Sequence, residues 1–287
     1  MDDELRTRVE RGLRAFLDVR RAAIEREDPS ATEPLDEIRR LLDAGGKRIR
    51  PAFCYWGFRA AGGADDGSPE ATIVRAAGAL ELLHTMALVH DDLVDGAKER
   101  RGVPTTARWF AHRAEELGAP GDPEEFGRAT AILVGDLAVV LADRLLMGSG
   151  FPAPALADAL DISHAVRERM AAGEWLDVAG AAARDPEVAR CAAALKGGSY
   201  TVEGPLLIGA ALAGGADEIR AALSRYGAPL GLAFQLRDDL EDGDAAPGVD
   251  RSTVRALVDE AKAALDPALM PADAIAALHG LADLIGR

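Results

Sequence analysis

The sequence predicts an all-α fold, and three observations carry that prediction. Long blocks rich in Ala, Leu, Arg and Glu repeat their apolar residues with helical spacing. No stretch alternates apolar and polar residues as a strand would. Gly and Pro gather between the blocks rather than inside them. In chain order the blocks are 3–26, 69–96, 123–148, 154–182, 216–242 and 251–266. The breaks fall at Gly45 and Gly46, at Gly62 and Gly63, and at 118–123, 148–154 and 245–248. Pro51 follows Arg50 and suits the first turn of a further helix, where its missing N–H costs nothing. No linker is long enough to separate domains and no internal repeat is evident. The expectation is one helical domain over residues 1–287, built from about ten helices.

Composition narrows the function. The 287 residues are 48% hydrophobic and 28% charged, which excludes a disordered or collagen-like chain and permits a large core. Lys and Arg total 33 against 48 Asp and Glu, a formal charge of -15, which argues against broad binding of nucleic acid or anionic lipid. An anionic ligand would have to be met by a local basic cluster or by metal ions. Two cysteines, Cys54 and Cys191, make no disulfide framework and match no zinc spacing. The amino terminus is charged from residue 2 and lacks the apolar core of a signal peptide. Apolar stretches such as 138–142 are far shorter than the ~20 residues of a membrane span. The expectation is an acidic cytoplasmic protein without a membrane span.

Two carboxylate triplets stand out. HDDLVD carries Asp91, Asp92 and Asp95, and LRDDLED carries Asp238, Asp239 and Asp242. Each reads D-D-x-x-D, which on a helix stacks the first and last aspartates one turn apart with the middle one beside them. Like charges four residues apart destabilise a bare helix, so such a triplet calls for a cation. Hard oxygen donors suit Mg²⁺, which shares its shell with water and substrate phosphates. One triplet alone reads equally well as a solvated acidic face. Two, each preceded by an apolar helix, are harder to dismiss. Gln235 lies three and four residues before Asp238 and Asp239 and shares their face; His84 lies two turns before Asp91.

Basic residues supply the counterpart. GGKRIRP puts Lys47, Arg48 and Arg50 after a Gly-Gly turn and before a helix, an anion cradle in prospect. RRGVPT puts Arg100 and Arg101 just beyond the first triplet. Acidic clusters alternating with basic pairs suggest a strongly anionic substrate such as a diphosphate bridged by Mg²⁺.

GGKRIRP, HDDLVDGAKERRGVPT, LKGGSYT and FQLRDDLED, in this order over roughly residues 35–242, resemble the trans-isoprenyl diphosphate synthases (polyprenyl synthetases), including bacterial farnesyl and geranylgeranyl diphosphate synthases. The resemblance implies a helical bundle around a deep central cavity, usually in a homodimer, with the two aspartate clusters facing each other across its mouth. It implies three Mg²⁺ ions held by Asp91, Asp92, Asp95, Asp238 and Asp242, with Asp239 as a ligand or its support. Arg100, Lys196 and Gln235 resemble the groups that hold the allylic diphosphate (dimethylallyl, geranyl or farnesyl). Lys47, Arg50, His84 and Arg101 resemble those that bind isopentenyl diphosphate. Asp91, Asp92, Arg100, Lys196, Gln235 and Asp238 are then the catalytic set, and condensation is head-to-tail. Met86 and Ala87, five and four residues before the first aspartate, match the family's chain-length position. An intermediate, flexible Met86 gives a short (E)-prenyl product, with C20 slightly favoured over C15.

The chain also departs from the family. Beyond Asp242 a G-K-x-x-G-x-D element and a second lysine-bearing loop are expected, yet the sequence passes directly to GDAAPGVDRSTV. A block of several tens of residues is missing after about residue 243, as a deletion or as an omitted segment. Gly197 stands where the family commonly has Thr after Lys196, leaving Ser199 or Thr201 to supply a hydroxyl. Two other functions compete. A class I terpene cyclase would leave Lys47, Arg50 and Arg101 unexplained, and DDLED is not its usual second metal motif. A regulatory subunit of a heteromeric synthase would commonly lack one aspartate cluster, whereas both are intact here.

Overall fold

The computed structural model describes residues 3–68, 71–100, 102–180, 185–243 and 248–286. Among these the chain is helical almost throughout. The amino-terminal half forms α1 (Asp3–Glu25), α2 (Glu33–Asp43), α3 (Ile49–Ala60), α4 (Thr72–Val94), α5 (Thr106–Leu117) and α6 (Pro123–Met147). The remainder forms α7 (Ala153–Val178), α8 (Pro186–Ala193), a π-helix (Ala194–Glu203), α9 (Gly204–Leu212), α10 (Asp217–Asp242), α11 (Arg251–Ala263) and α12 (Ala272–Ile285). The helical periodicity places α4, α6, α7 and α10 to within a few residues. Two features escaped it: the π-helix, and an antiparallel pair of two-residue strands, β1 (Glu99–Arg100) and β2 (Val103–Pro104).

Local chemistry sets the helix ends. Asp122 caps α6 by accepting from Glu124 N–H, with Pro123 in the first turn. Asp250 and Thr253 close a reciprocal capping box on α11.

Two apolar cores lie side by side. The first gathers Leu5, Val9, Leu13 and Leu17 of α1 around α4, α2 and α6. The second joins Leu223, Tyr226 and Leu230 of α10 to α11 and α12, with Leu278 fully buried. α3 and α9 form the joint: Cys54 and Ile208 face the first core, Phe53 and Leu206 the second. Their backbones touch. A Cβ on Gly209 would lie 1.9 Å from the Cys54 carbonyl oxygen, and one on Gly57 would lie 2.2 Å from that of Leu206. Glycine at these positions permits the close crossing.

α4 is long and apolar enough to cross a membrane by length and composition, a stretch longer than the apolar runs such as 138–142 on which the expectation of no span rests. Yet 67% of that window is buried inside the protein, as befits a central core helix. Its lower and middle turns fix the direction in which its acidic end points.

Candidate active site

Asp91 and Asp92 occupy the last turn of α4, and Asp95 is its C-cap. The carbonyl end of a helix carries partial negative charge, so three aspartates there add to an already negative potential. No basic residue lies in that turn. The cation comes from the β-hairpin, which folds back when Thr105 N–H donates to Lys98 O and its hydroxyl to Ala97 O. Arg100 then donates from Nε to Asp92 Oδ1 at 2.8 Å and from Nη2 to Asp91 Oδ2 at 2.6 Å. Asp92 is buried, and burial raises its pKa above the ordinary carboxylate value; Arg100 opposes that rise while Asp91 and Asp95 add to it. Burial works to lower the Arg100 pKa, but its bonds to Asp92 and Asp91 prevail and raise it.

The second cluster lies at the same end of α10, again with no basic residue in the last turn. Gly243, at φ 86°, stops the helix in the left-handed region that glycine tolerates best. Gln235 donates from Nε2 to Asp239 Oδ1 at 2.8 Å, as their spacing on one face predicts. Arg237 donates from Nη2 to Asp238 Oδ1 at 2.8 Å, with its guanidinium stacked 5.0 Å over the Phe234 ring. The side chain of Asp242, and Arg101 altogether, lie outside the described residues.

The π-helix ties the predicted basic residues to this frame. A Cβ on Gly197 would fall 2.2 Å from Gln235 Oε1, and one on Gly231 of α10 would fall 2.3 Å from the Gly198 carbonyl. Gly197 of the π-helix and Gly231 of α10 are therefore the close-approach positions that seat the π-helix on α10. Lys196 reaches the other way, pairing through Nζ with Glu174 at 2.8 Å and Asp177 at 2.7 Å on α7. Burial pulls its pKa down, but the two carboxylates outweigh it and raise the value. Arg50 donates from Nη2 to Thr201 Oγ1 at 2.9 Å and lies 4.4 Å over the Tyr200 ring. His84 of α4 stands 6.2 Å from the same ring. Tyr200 is buried, which pushes its pKa up to about 12. Neither its hydroxyl nor Arg50 Nε has a hydrogen-bond partner among the described residues. A buried unpaired donor beside a guanidinium suits an incoming anion.

The basic turn needs one correction. Arg48, grouped with Lys47 and Arg50 as an anion cradle, is buried at φ 48° and spent on the fold. It donates to Glu81 Oε2 at 2.6 Å and to Leu42 O at 2.5 Å, with both side chains of the ion pair 5% exposed. Removing one partner of such a pair costs about 3–5 kcal/mol. Lys47 remains exposed on the turn before it. Met86 is buried in the first core and Ala87 packs against that core half-exposed. Thr201 was offered by the sequence as a hydroxyl, whereas Glu174, Asp177, Tyr200 and Arg237 were not anticipated from it.

Among the described residues no three His, Cys, Asp or Glu side chains converge on one metal-sized point. The donors are nonetheless suitable. Mg²⁺ is commonly held by one or two carboxylates and completed by substrate phosphates, so it requires no closed protein cage. Carboxylates crowded at two helix carbonyl ends meet that description.

Comparison with known proteins gives the family. Residues 33–250 match the polyprenyl synthetase family model. A geranylgeranyl diphosphate synthase of Methanosarcina mazei is 32% identical over 71% of this chain and 57% of its own length. A (2E,6E)-farnesyl diphosphate synthase of Mycobacterium tuberculosis is 35% identical over 68% of this chain and 48% of its own. The chain thus spans about half the length of these relatives. The solved geranylgeranyl pyrophosphate synthase of Corynebacterium glutamicum, complexed with isoprenyl diphosphate and magnesium, superposes with a TM-score of 0.89 at 27% identity, covering 100% of this chain and 99% of that one. Three-quarters of the chain, both aspartate helices included, falls within the family match, and the chain belongs to the polyprenyl synthetase family.

Proposed function

We propose that the chain is a Mg²⁺-dependent prenyltransferase that condenses isopentenyl diphosphate with an allylic diphosphate to give a short (E)-prenyl diphosphate, C20 in preference to C15. The observation that carries this reading is the pair of D-D-x-x-D clusters at the carbonyl ends of α4 and α10. Arg50, Arg100 and Lys196 lie on elements packed around them. Asp91, Asp92, Asp95, Asp238, Asp239 and Asp242 would hold the cations, on our reading three, across the mouth of a central cavity. When bound, those cations would neutralise the diphosphate and ease its departure.

The chain's own residues do the rest. Arg100 exchanges a carboxylate for a phosphate oxygen, and Lys196 and Gln235 fix the allylic diphosphate from the π-helix and α10. Lys47, Arg50, His84 and Arg101 hold isopentenyl diphosphate with its double bond against the allylic carbon. The allylic C–O bond breaks, a C–C bond forms to the isopentenyl carbon, and a proton leaves to the released diphosphate. Preorganised donors around the departing charge supply the main rate advantage. Met86, flexible and packed under the first cluster, sets where the growing tail stops.

A cytoplasmic homodimer accompanies this reading. Supporting the dimer, α6 exposes Leu133, Val140 and Met147 at seven-residue intervals, each at least 58% exposed, a stripe suited to a second copy. The segment after residue 243, where a lysine-bearing block is expected, includes 244–247, outside the described residues. Product analysis after incubation with Mg²⁺, isopentenyl diphosphate and each allylic diphosphate tests the whole. A C20 diphosphate formed only with isopentenyl diphosphate present is the expected result. Cyclic hydrocarbon from the allylic substrate alone would make the protein a cyclase, and no product from any pairing would reject the synthase.

A further inference from the structure

A third acidic helix end adjoins the second aspartate cluster. Glu174 and Asp177 sit three residues apart at the carbonyl end of α7 and share one face. That end carries partial negative charge of its own, and no basic residue lies in its last turn. Neither carboxylate belongs to a D-D-x-x-D motif. Among the described residues their basic partner is Lys196, which reaches across from the π-helix to Glu174 at 2.8 Å and to Asp177 at 2.7 Å. The group is half-buried, with the lysine side chain 30% exposed and the two carboxylates 28% and 39%.

The backbone is shaped to hold the lysine there. A Cβ on Gly173 of α7 would fall 2.7 Å from Lys196 Cγ and 3.0 Å from Leu195 Cβ, so glycine opens the channel along which the lysine stem lies. The next residue, Gly197, packs on Gln235 of α10, which itself holds Asp239. Lys196 thus stands between α7 and the second cluster, with its ammonium turned to α7. An ammonium has three N–H groups, and the two carboxylates take two of them. An anion brought to Lys196 in this seat would also meet Glu174 and Asp177, and like charges repel. Diphosphate and seat therefore compete for one ammonium. Arg100 differs, because the carboxylates it leaves are the ones assigned to cations. No such cation replaces Lys196 on Glu174 and Asp177.

We propose that Glu174 and Asp177 are positioning residues that hold Lys196 in a resting seat on α7 and thereby set how tightly the allylic diphosphate binds. The identity of that ligand rests on the prenyltransferase reading above; the seat does not. While Lys196 is seated, the site lacks one of its phosphate-binding cations. Apparent affinity then scales with the fraction of molecules in which the lysine is released. Isopentenyl diphosphate, assigned to Lys47, Arg50, His84 and Arg101, stands outside this competition.

Two measurements on the full chain test this. The first is acetylation by N-acetoxysuccinimide without metal or ligand, read by peptide mass spectrometry at Lys196, with exposed Lys47 and Lys98 as references. Only a neutral amine reacts, so Glu174→Gln/Asp177→Asn should speed labelling of Lys196 about tenfold relative to the references. The second is equilibrium binding of farnesyl S-thiolodiphosphate in Mg²⁺. The same variant should tighten it about fivefold and leave isopentenyl diphosphate affinity unchanged. In a Lys196→Gln background that gain should disappear, which separates a seat for the lysine from a general loss of negative charge. Should the double variant fail to fold, Asp177→Asn, at the more exposed carboxylate, reads both shifts at smaller size. Unchanged labelling, probe affinity unchanged or weaker in a folded variant, or an equal gain without Lys196 would each overturn the proposal. Product analysis of the wild-type chain is run alongside. No product and no probe binding reject the prenyltransferase reading, and the ligand with it, while labelling still decides the seat. Product formation with unchanged labelling rejects the seat alone.

Discussion

The two aspartate clusters share a motif and a helix end but differ in how their charge is managed. At α4 the neutralising group arrives from outside the helix, as Arg100 bridges Asp91 and Asp92 from the β-hairpin. At α10 the partners are on the helix itself, Gln235 on Asp239 and Arg237 on Asp238. Asp92 is buried, whereas Asp238 and Asp239 are half-exposed. Identical spacing thus yields one cluster clamped from outside with a single buried member, Asp92, beside half-exposed Asp91 and exposed Asp95, and one cluster tethered from its own helix with Asp238 and Asp239 both half-exposed. The motif fixes which groups meet a cation, and the surroundings decide how much displacing the present partners costs.

The sharpest way to break this comparison is kinetic. Asp91→Asn and Asp238→Asn should each lower kcat about 100- to 1,000-fold in steady-state assays with both diphosphates. If the clusters act on one leaving group, the double variant should be scarcely worse than either single one. A wild-type kcat in Asp238→Asn would show that the clusters are not partners.

Stability probes the second cluster's seating. Gly231→Ala places a methyl against the Gly198 carbonyl, a backbone atom that cannot swing aside, and should cost about 1–3 kcal/mol in denaturant unfolding. Gly197→Ala should cost less, because Gln235 can rotate away, but it should loosen Asp239 while leaving the α4 cluster untouched. Arg100→Gln is the matching probe of the first cluster. It should destabilise by about 1 kcal/mol, an effect reduced when Asp92→Asn is added, as a thermal double-mutant cycle would read.

The smallest effect is the most diagnostic of burial. The raised pKa of Asp92 means the fold is penalised for its charge once pH exceeds that value, and the penalty disappears on acidification below 3.8. Asp92→Asn should therefore stabilise the metal-free protein at neutral pH by less than about 1 kcal/mol. The advantage should vanish in acid, which unfolding curves across that range would show.

Much of this was legible because it is local. The D-D-x-x-D spacing and the Gln235–Asp239 pairing need only one helix, and α4, α6, α7 and α10 announce themselves by period. What stayed hidden depends on distant chain. Arg48 and Arg50 are two residues apart, yet one is locked to Glu81 and the other lies on Tyr200 and Thr201 of the π-helix. Nothing in GGKRIRP distinguishes them, since the difference is made by a positive φ and by residues brought from 33 and 151 positions away. The π-helix has no pattern of its own in LKGGSYT; only its glycines, read as close contacts, hint at it. Two-residue strands are too short to leave an alternation.

The crossing of α3 and α9 also makes the chain its own timekeeper. Cys54 is fully buried at that joint, and its thiol is pushed up to about 12 by burial, so it stays unreactive while the joint is closed. Cys191, on α8, is exposed. An alkylating reagent should therefore label Cys191 at once and Cys54 only when the two cores part. The delay between the two events measures how often the joint opens, without any probe being added to the protein.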